Sequence, residues 1–587
     1  MADLAAQLTA ACAAAFEAEG LEARWGAVRR SDRPELADFQ CNGCMGAAKQ
    51  AKTNPRELAA RIAPLIEAHE AVASVEVAGP GFLNIIVTDA VLSGVAEHVR
   101  TDMRAGASAL KMAERVVIDF GGPNVAKPMH VGHLRSAVIG DTLVRLFRFL
   151  GDEVTGDAHL GDWGLQMGHL LTELKEEQPD LVYFDADFIG PYPETSPVTI
   201  EDLARLYPLA SGKAKADPAR NELSQTAVAE MQAGRPGYRA LLRHFIEVSI
   251  AALKVDYAFL GVEFDLWKGE SDVDALIPEM VDALKDKGLA ELDDGAWIIK
   301  IERESDKKEM PPFMLLNSRG GTGYHATDLA TIVDRIATLH PDRILYVVDQ
   351  RQALHFEQVF RAADLAGLMR ESQMEHIGFG TVNGADGKPF KTREGGTLRL
   401  ADLNAMALAE AEKKIGEAGL SGDIGADERL EISGLVARAA LRFADLQNVR
   451  TTNYVFDLDR FTSFEGKTGP YLLYAAVRLK SVLRKAAAEG NEPGTIQING
   501  DVERKLALLL DGFGATLDMA REKRQPHFIC EHVYGLAQAF SAFYAAHPVA
   551  TEPDPAVRAS RLALCEAVLR QLEAGLGILG IKAPNRM

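Results

Sequence analysis

His130 and His133, with Val131 and Gly132 between them, are the residues of this chain best suited to phosphate chemistry. Standing three apart where a helix begins, both imidazoles can lie on one side of its first turn. Unpaired backbone N–H groups and the positive end of the helix dipole already favour anions there. Gly132 has no side chain to keep a flat ring or a phosphate from the backbone. Lys127 precedes the pair, and Lys388, Lys391 and Arg393 fall in a glycine-rich, basic loop at 376–400 that also contains Gly380. Imidazole and ammonium donors around a triphosphate suit displacement at phosphorus, a reaction that requires alignment and charge stabilisation and no protein nucleophile.

A second constellation is Tyr324 with Asp328. Four apart, they share a face if helical. An ionised carboxylate accepts two parallel N–H bonds from a planar guanidinium, and a phenol oxygen adds a third acceptor. Such a site rejects ligands that leave its buried groups unpaired. Taken alone, Asp328 equally fits an N-cap or a surface ion pair.

The elements that must position these groups can be read around them. The β-branched run 116–118 predicts a buried strand, stopped by Gly121, Gly122 and Pro123. Ile139, Leu143, Leu146, Phe147 and Leu150 recur at helical spacing until Gly151 ends the helix. Residues 153–157 predict a second strand. Strand, crossover helix and strand imply a parallel sheet with its ligand crevice at the carboxyl ends, near Asp157, His159 and Asp162. The sheet is expected to resume at 313–317 and 344–348, with 175–300 as insertions that include a proline-rich acidic loop at 188–198 and a helix at 238–260. Before it, residues 1–112 read as a separate α/β module, in which strand-like runs in 75–87 flank Gly79, Pro80 and Gly81 and present Phe82 and Asn84. Phe82 serves equally as a core residue there. After it, 376–453 carries the basic loop and linking helices, and 454–587 reads as all-helical. Tyr471 and Tyr474 stand near Arg478, Lys480, Arg484 and Lys485, a mixture that suits unstacked bases and phosphates and also an ordinary bundle helix.

With 587 residues, 47% hydrophobic and 25% charged, the composition is that of a multi-domain soluble globular chain. No apolar run reaches the length needed to cross a bilayer, and the start is not a basic targeting segment, so a cytoplasmic location and no membrane partner are expected. The net charge of −20 argues against coating nucleic acid by bulk attraction, though not against an RNA held by local basic patches. Five scattered cysteines make no disulfide framework. Cys41 and Cys44 form a lone C-x-x-C, which fits two small buried residues better than a zinc site needing distant partners.

His-Val-Gly-His resembles the HIGH signature of class I aminoacyl-tRNA synthetases, and residues 123–136 resemble its arginyl-tRNA synthetase version. Gly161-Asp162-Trp163-Gly164, the Tyr324/Asp328 pair, Arg351-Gln352-Ala353-Leu354-His355 and the run 464–471 are similar to further segments of that family. Phe390-Lys391-Thr392-Arg393-Glu394 looks like its KMSKS loop without the second lysine, for which Lys127 is the implied substitute. The resemblance implies a Rossmann-like class I nucleotide-binding sheet, an N-terminal tRNA-binding module and an all-α anticodon-binding bundle. It implies a monomeric arginine–tRNA ligase using ATP and Mg2+, with L-arginine and tRNA(Arg) as partners and no bound metal of its own. His130, His133, Lys127 and Lys391 are then catalytic. Gly132 and Gly380 join them around ATP, while Asp119, Asn124, Tyr324, Asp328 and Gln352 hold arginine. Phe82, Asn84, Tyr471, Tyr474, Tyr544 and Met587 touch tRNA. Two other readings are a nucleotidylyltransferase of the same superfamily, which would not need Tyr324 with Asp328, and a non-catalytic tRNA-binding paralogue, which would have lost the active-site residues present here.

Overall fold

The structure is a computed structural model describing residues 3–318, 320–384, 387–388, 398–419 and 424–587. It divides into two compact units, one formed by residues 110–462 and one by 1–109 together with 463–587.

Five parallel strands organise the larger unit: β1 (Arg115–Phe120), β2 (Glu153–Leu160), β3 (Leu266–Gly269), β4 (Arg343–Val347) and β5 (Met374–His376), in the spatial order 5-4-1-2-3. The order reverses between β1 and β4, so the crevice for a ligand opens at their carboxyl ends. Five helices position the site: α1 (Val131–Leu150), α2 (Pro236–Leu260), α3 (Tyr324–Leu339), α4 (Ala353–Leu365) and α5 (Ala426–Leu446). The apolar stripe of α1 is buried through Leu143, Leu146, Phe147 and Leu150, and Gly151 at φ 114° ends it in the left-handed conformation glycine tolerates. Ser136 of α1 accepts from Gly121 N–H at 2.8 Å and donates to Val347 O at 2.6 Å, tying the helix start to the ends of β1 and β4. Deeper in α1, the buried carboxylate of Asp141 receives Arg145 at 2.7 Å and Arg442 of α5 at 2.6 Å.

Two expectations about the sheet are corrected. The run at 313–316 is a strand, but it pairs antiparallel in a separate three-stranded sheet with Ala290–Asp293 and Ala296–Ile299. The missing strand of the main sheet is β3, inside the stretch read as insertion. It is a four-residue edge strand containing Lys268, too short and too polar to show a buried pattern. The remaining insertion is helical. Glu173, fully buried on Leu165–Glu177, binds Lys213 at 2.6 Å and Arg220 at 2.7 Å and so gathers Ile200–Ala216 and Pro218–Gln232 around it.

In the smaller unit a four-stranded antiparallel sheet runs Val28–Arg30, Phe39–Cys41, Phe82–Val87, Val72–Ala78. Side chains tie this sheet to the C-terminal helices. Arg504 donates to Asp38 at 2.8 Å and to Val87 O at 3.1 Å, Arg30 pairs with the buried Asp511 at 2.5 Å, and Gln571 donates to both Ala105 O and Leu510 O. All five cysteines are buried and unbridged.

Candidate active site

His130 is the N-cap of α1. Its Nδ1 accepts from Gly132 N–H at 3.0 Å, while the Nδ1 of His133 accepts from His130 N–H at 3.1 Å. The rings lie 4.1 Å apart, centroid to centroid. Since both Nδ1 lone pairs are engaged, the proton of each neutral ring sits on Nε2. Desolvation pushes both imidazoles down, and the neighbouring His130 helps bring His133 to about 4. The pair therefore presents two neutral Nε2–H donors at neutral pH, where the sequence suggested cationic stabilisation. Gly132 is exposed, and its missing side chain also serves the helix itself. A Cβ there would lie 2.6 Å from Cε1 of His130, so the glycine makes room for the imidazole that caps its own helix.

The basic loop returns to this helix start. Val131 N–H donates to Leu398 O at 3.0 Å and Leu400 N–H to Met129 O at 2.9 Å, so 398–400 pairs antiparallel with the residues entering α1. On the loop's other side, Val382–Asn383 pairs with Tyr454–Val455. Lys391 lies outside the described residues. Gly380 is buried, and a Cβ on it would sit 2.6 Å from Asn453 Oδ1 and 2.7 Å from Thr452 O. Its missing side chain thus accommodates the chain at 452–453, and a nucleotide role for it finds no support in this packing. Lys127 holds its ammonium 4.5 Å above the ring of Tyr207, a residue of Ile200–Ala216 that the sequence did not single out.

Opposite, Tyr324 opens α3 and is 56% exposed, while Asp328 one turn later binds His355 Nε2 at 2.5 Å. Beneath them lies a carboxylate the sequence reading missed. Glu270 follows β3, is buried, and accepts from Trp163 N–H at 3.3 Å. Burial raises its pKa to about 8, with Asp328 and then Asp162 contributing like charge. Tyr324 feels the same cluster, its hydroxyl raised by burial, Glu270, Tyr207 and Asp328. Two carboxyl groups and a phenol thus share one electrostatic neighbourhood, in which a delocalised cation would find acceptors.

The other acidic candidates at the strand ends are already occupied. Asp162 is held by Ser271 through the backbone N–H at 2.8 Å and the hydroxyl at 2.5 Å. Arg335 of α3, 1% exposed, donates from Nη2 to Asp119 at 2.6 Å and to Asp157 at 2.7 Å. Asp119 keeps a side-chain exposure of 12%. Asn124 follows β1 and lays its Oδ1 against Gly161, where a Cβ would come within 2.2 Å. Gln352 is exposed in the turn Gln350–Gln352 that enters α4, beyond the end of β4.

The family model for the catalytic domain of class I tRNA synthetases (R) matches residues 96–458. The chain belongs to the arginyl-tRNA synthetases. The arginyl-tRNA synthetase N-terminal domain matches 2–87 and the DALR anticodon-binding domain 472–587. An arginine–tRNA ligase of Hyphomonas neptunium is 70% identical and one of Maricaulis maris 59%, each covering the full length of both chains. The solved Thermus thermophilus arginyl-tRNA synthetase superposes with a TM-score of 0.78 at 25% identity over the whole of both chains.

Of the residues assigned to tRNA by the family resemblance, Tyr471 and Tyr474 share a face of Gly469–Ala488 with Arg478, whose guanidinium lies 4.3 Å over the ring of Tyr544. Tyr474 is 40% exposed; Tyr471 packs edge-on against Tyr534. The neighbouring cations are partly spent on the protein itself. Lys480 binds Glu573 at 2.8 Å and the carbonyls of Ala583 and Pro584, and Arg484 binds Asn585 O, fastening the tail that ends in Met587. Phe82 is half-buried at a strand start. Asn84 is not projected as expected: it is 4% exposed and accepts from Gln40 Nε2 at 2.9 Å across the strand pair.

Proposed function

We propose that the chain is an arginine–tRNA ligase whose reaction takes place between the two histidines and the Tyr324, Asp328, Glu270 receptor. What supports it best is that one parallel sheet carries both the neutral His130/His133 N–H pair at the start of α1 and the Tyr324, Asp328, Glu270 cluster at the start of α3 and the end of β3. In the first step the carboxylate of L-arginine attacks the α-phosphorus of ATP and pyrophosphate leaves. No side chain needs to accept a proton, so the protein's work is alignment and stabilisation of phosphate oxygens. His130 and His133 would donate through Nε2–H, and Lys127 and Lys391 would supply positive charge. In the second step a ribose hydroxyl of the terminal adenosine of tRNA(Arg) attacks the adenylate carbonyl and AMP leaves.

Asp328 and Glu270, with the Tyr324 hydroxyl, would take the guanidinium. Asp119, Asn124 and Gln352 would face the α-amino end. Phe82, Tyr471, Tyr474, Tyr544 and Met587 would approach tRNA from the smaller unit. Magnesium enters this reading as a companion of the triphosphate. The described residues offer no group of three or more His, Cys, Asp or Glu placed to hold it, and no step is routed through it. A monomer working in the cytoplasm completes the proposal; among the described residues no helix is long and apolar enough to cross a membrane.

The test is amino-acid-dependent ATP–pyrophosphate exchange, with each amino acid offered in turn, with and without tRNA(Arg). Exchange specific to arginine is expected. Exchange with a different amino acid, or none under either condition, would refute the reading.

A further inference from the structure

Three strands of the main sheet converge on one side chain of α3. Arg335 Nη2 bridges Asp119 on β1 and Asp157 on β2, and its guanidinium lies 5.5 Å over the ring of Tyr346 on β4. One helical turn earlier, Thr331 Oγ1 meets His159 Nε2 of β2 at 3.4 Å. Arg335 follows Asp328 by seven residues, two turns or about 10 Å along the helix, and therefore lies on the same face. One rigid helix thus carries the carboxylate proposed for the guanidinium end of the substrate and the cation that fixes Asp119 at its amino end.

The electrostatics fit this arrangement. One guanidinium between two carboxylates leaves a formal charge of −1, and Asp119 is the member of the trio with exposed surface. An ammonium group is the ligand such a residual charge attracts. The second guanidinium in the site, the protein's own, also withdraws Asp119 and Asp157 from competition for the substrate's side chain, which leaves Asp328 and Glu270 to receive it.

Resting on the arginine-ligase reading, we infer that Arg335 is a positioning residue that sets the separation of Asp119 from Asp328, so that the site measures the length of the amino-acid side chain. Substitution should then change which chain length is accepted as well as how tightly arginine binds. Arg335→Lys keeps the charge and shortens the reach; Arg335→Met removes the charge. Exchange assays with tRNA(Arg) present would compare arginine with homoarginine, one methylene longer, and with the homologue one methylene shorter.

For Arg335→Lys the expected result is a KM for arginine raised about tenfold and a KM for ATP within twofold of the original. The ratio of kcat/KM for homoarginine to that for arginine should rise at least about fivefold. A side chain that merely supports the fold would lower the active fraction and leave both the KM for arginine and that ratio unchanged; this outcome would overturn the inference. If neither variant folds, Asp157→Asn, which removes one of the two charges that hold Nη2 and so loosens Arg335, decides the matter. A shift in the homologue ratio supports the inference, and an unchanged ratio overturns it. Failure of the unsubstituted protein to exchange with arginine would instead remove the functional reading itself, before any variant is compared.

Discussion

Replacing Glu270 by Gln should change the pH dependence of arginine binding in a way that identifies this carboxyl as part of the receptor. In the free protein, burial together with Asp328 and Asp162 holds its pKa at about 8. At pH 7 such a group is protonated in about nine molecules of ten. A bound guanidinium favours the ionised form, so arginine must displace that proton. The cost is about 1.4 kcal/mol, or tenfold in Kd, at pH 7, and about twice that energy at pH 6; above pH 8 it fades. Calorimetric titration in buffers of different ionisation heat should show about 0.9 proton released per arginine at pH 7. Glu270→Gln should bind more weakly, release no proton by this route, and lose the steep region between pH 6 and 8. The stability sign is the opposite. Because the folded-state pKa lies above the unfolded value, the contribution of the bound proton is complete below the ordinary glutamate range and is lost as pH rises through about 8. The variant, having no charge to bury, should therefore gain in Tm relative to the parent as pH increases. Asp162, raised to about 6 by burial, belongs to the same neighbourhood and will shape the acid side of the curve. A Kd flat from pH 6 to 9 with no buffer dependence would refute the reasoning.

The remaining predictions concern the helix start and the core. Gly132→Ala should gain nothing in stability, since its Cβ meets the His130 ring at 2.6 Å and the lost cap offsets alanine's helix propensity, and exchange should fall by about 10²-fold. His133→Ala should cost about 10²- to 10³-fold in kcat. With its imidazole near 4, the parent's rate should show no inflection from this residue close to neutrality. Asp328→Ala should abolish measurable arginine binding while ATP binding persists, checked by separate titrations; equal loss of both would remove Asp328 from the receptor. Asp141→Asn removes a charged partner of the buried Arg442, and urea unfolding should record a loss of about 3–5 kcal/mol.

Local pattern carried the strands and helices that touch the signature, because each has a clear period or a firm stop. The apolar stripe of α1 ends at a glycine with positive φ, and β1 is a compact β-branched run. What stayed hidden depended on partners distant in sequence. Leu266–Gly269 becomes a strand only by lying beside β2, and Phe313–Leu316, although plainly strand-like, is claimed by a hairpin at 290–299. Glu270 was invisible for the same reason, since its place in the receptor follows from the position of β3.

The candidate site shows where residue type stops being informative. Gly132, Gly380, Asp157, Asp162 and Asn84 were each noticed for a chemically sound property, open space or a spare acceptor. In every case the protein's own atoms use that property: an imidazole, the chain at 452–453, Arg335, Ser271 and Gln40. A glycine reports that something approaches closely, and a buried acid that something donates to it; neither says whether the visitor is a ligand. Exposure separates the cases. Tyr324 and His130 remain open to solvent, and Asp119 keeps some exposed surface, whereas Asp157, Asp162 and Gly380 do not. By that criterion His130, His133, Tyr324, Asp328 and the outer edge of Asp119 are open to a substrate, and the buried Glu270 would act through its charge alone. On the proposed reading they would meet an anionic phosphate at one end of the ligand and, at the other, a delocalised cation and an ammonium held a fixed distance apart.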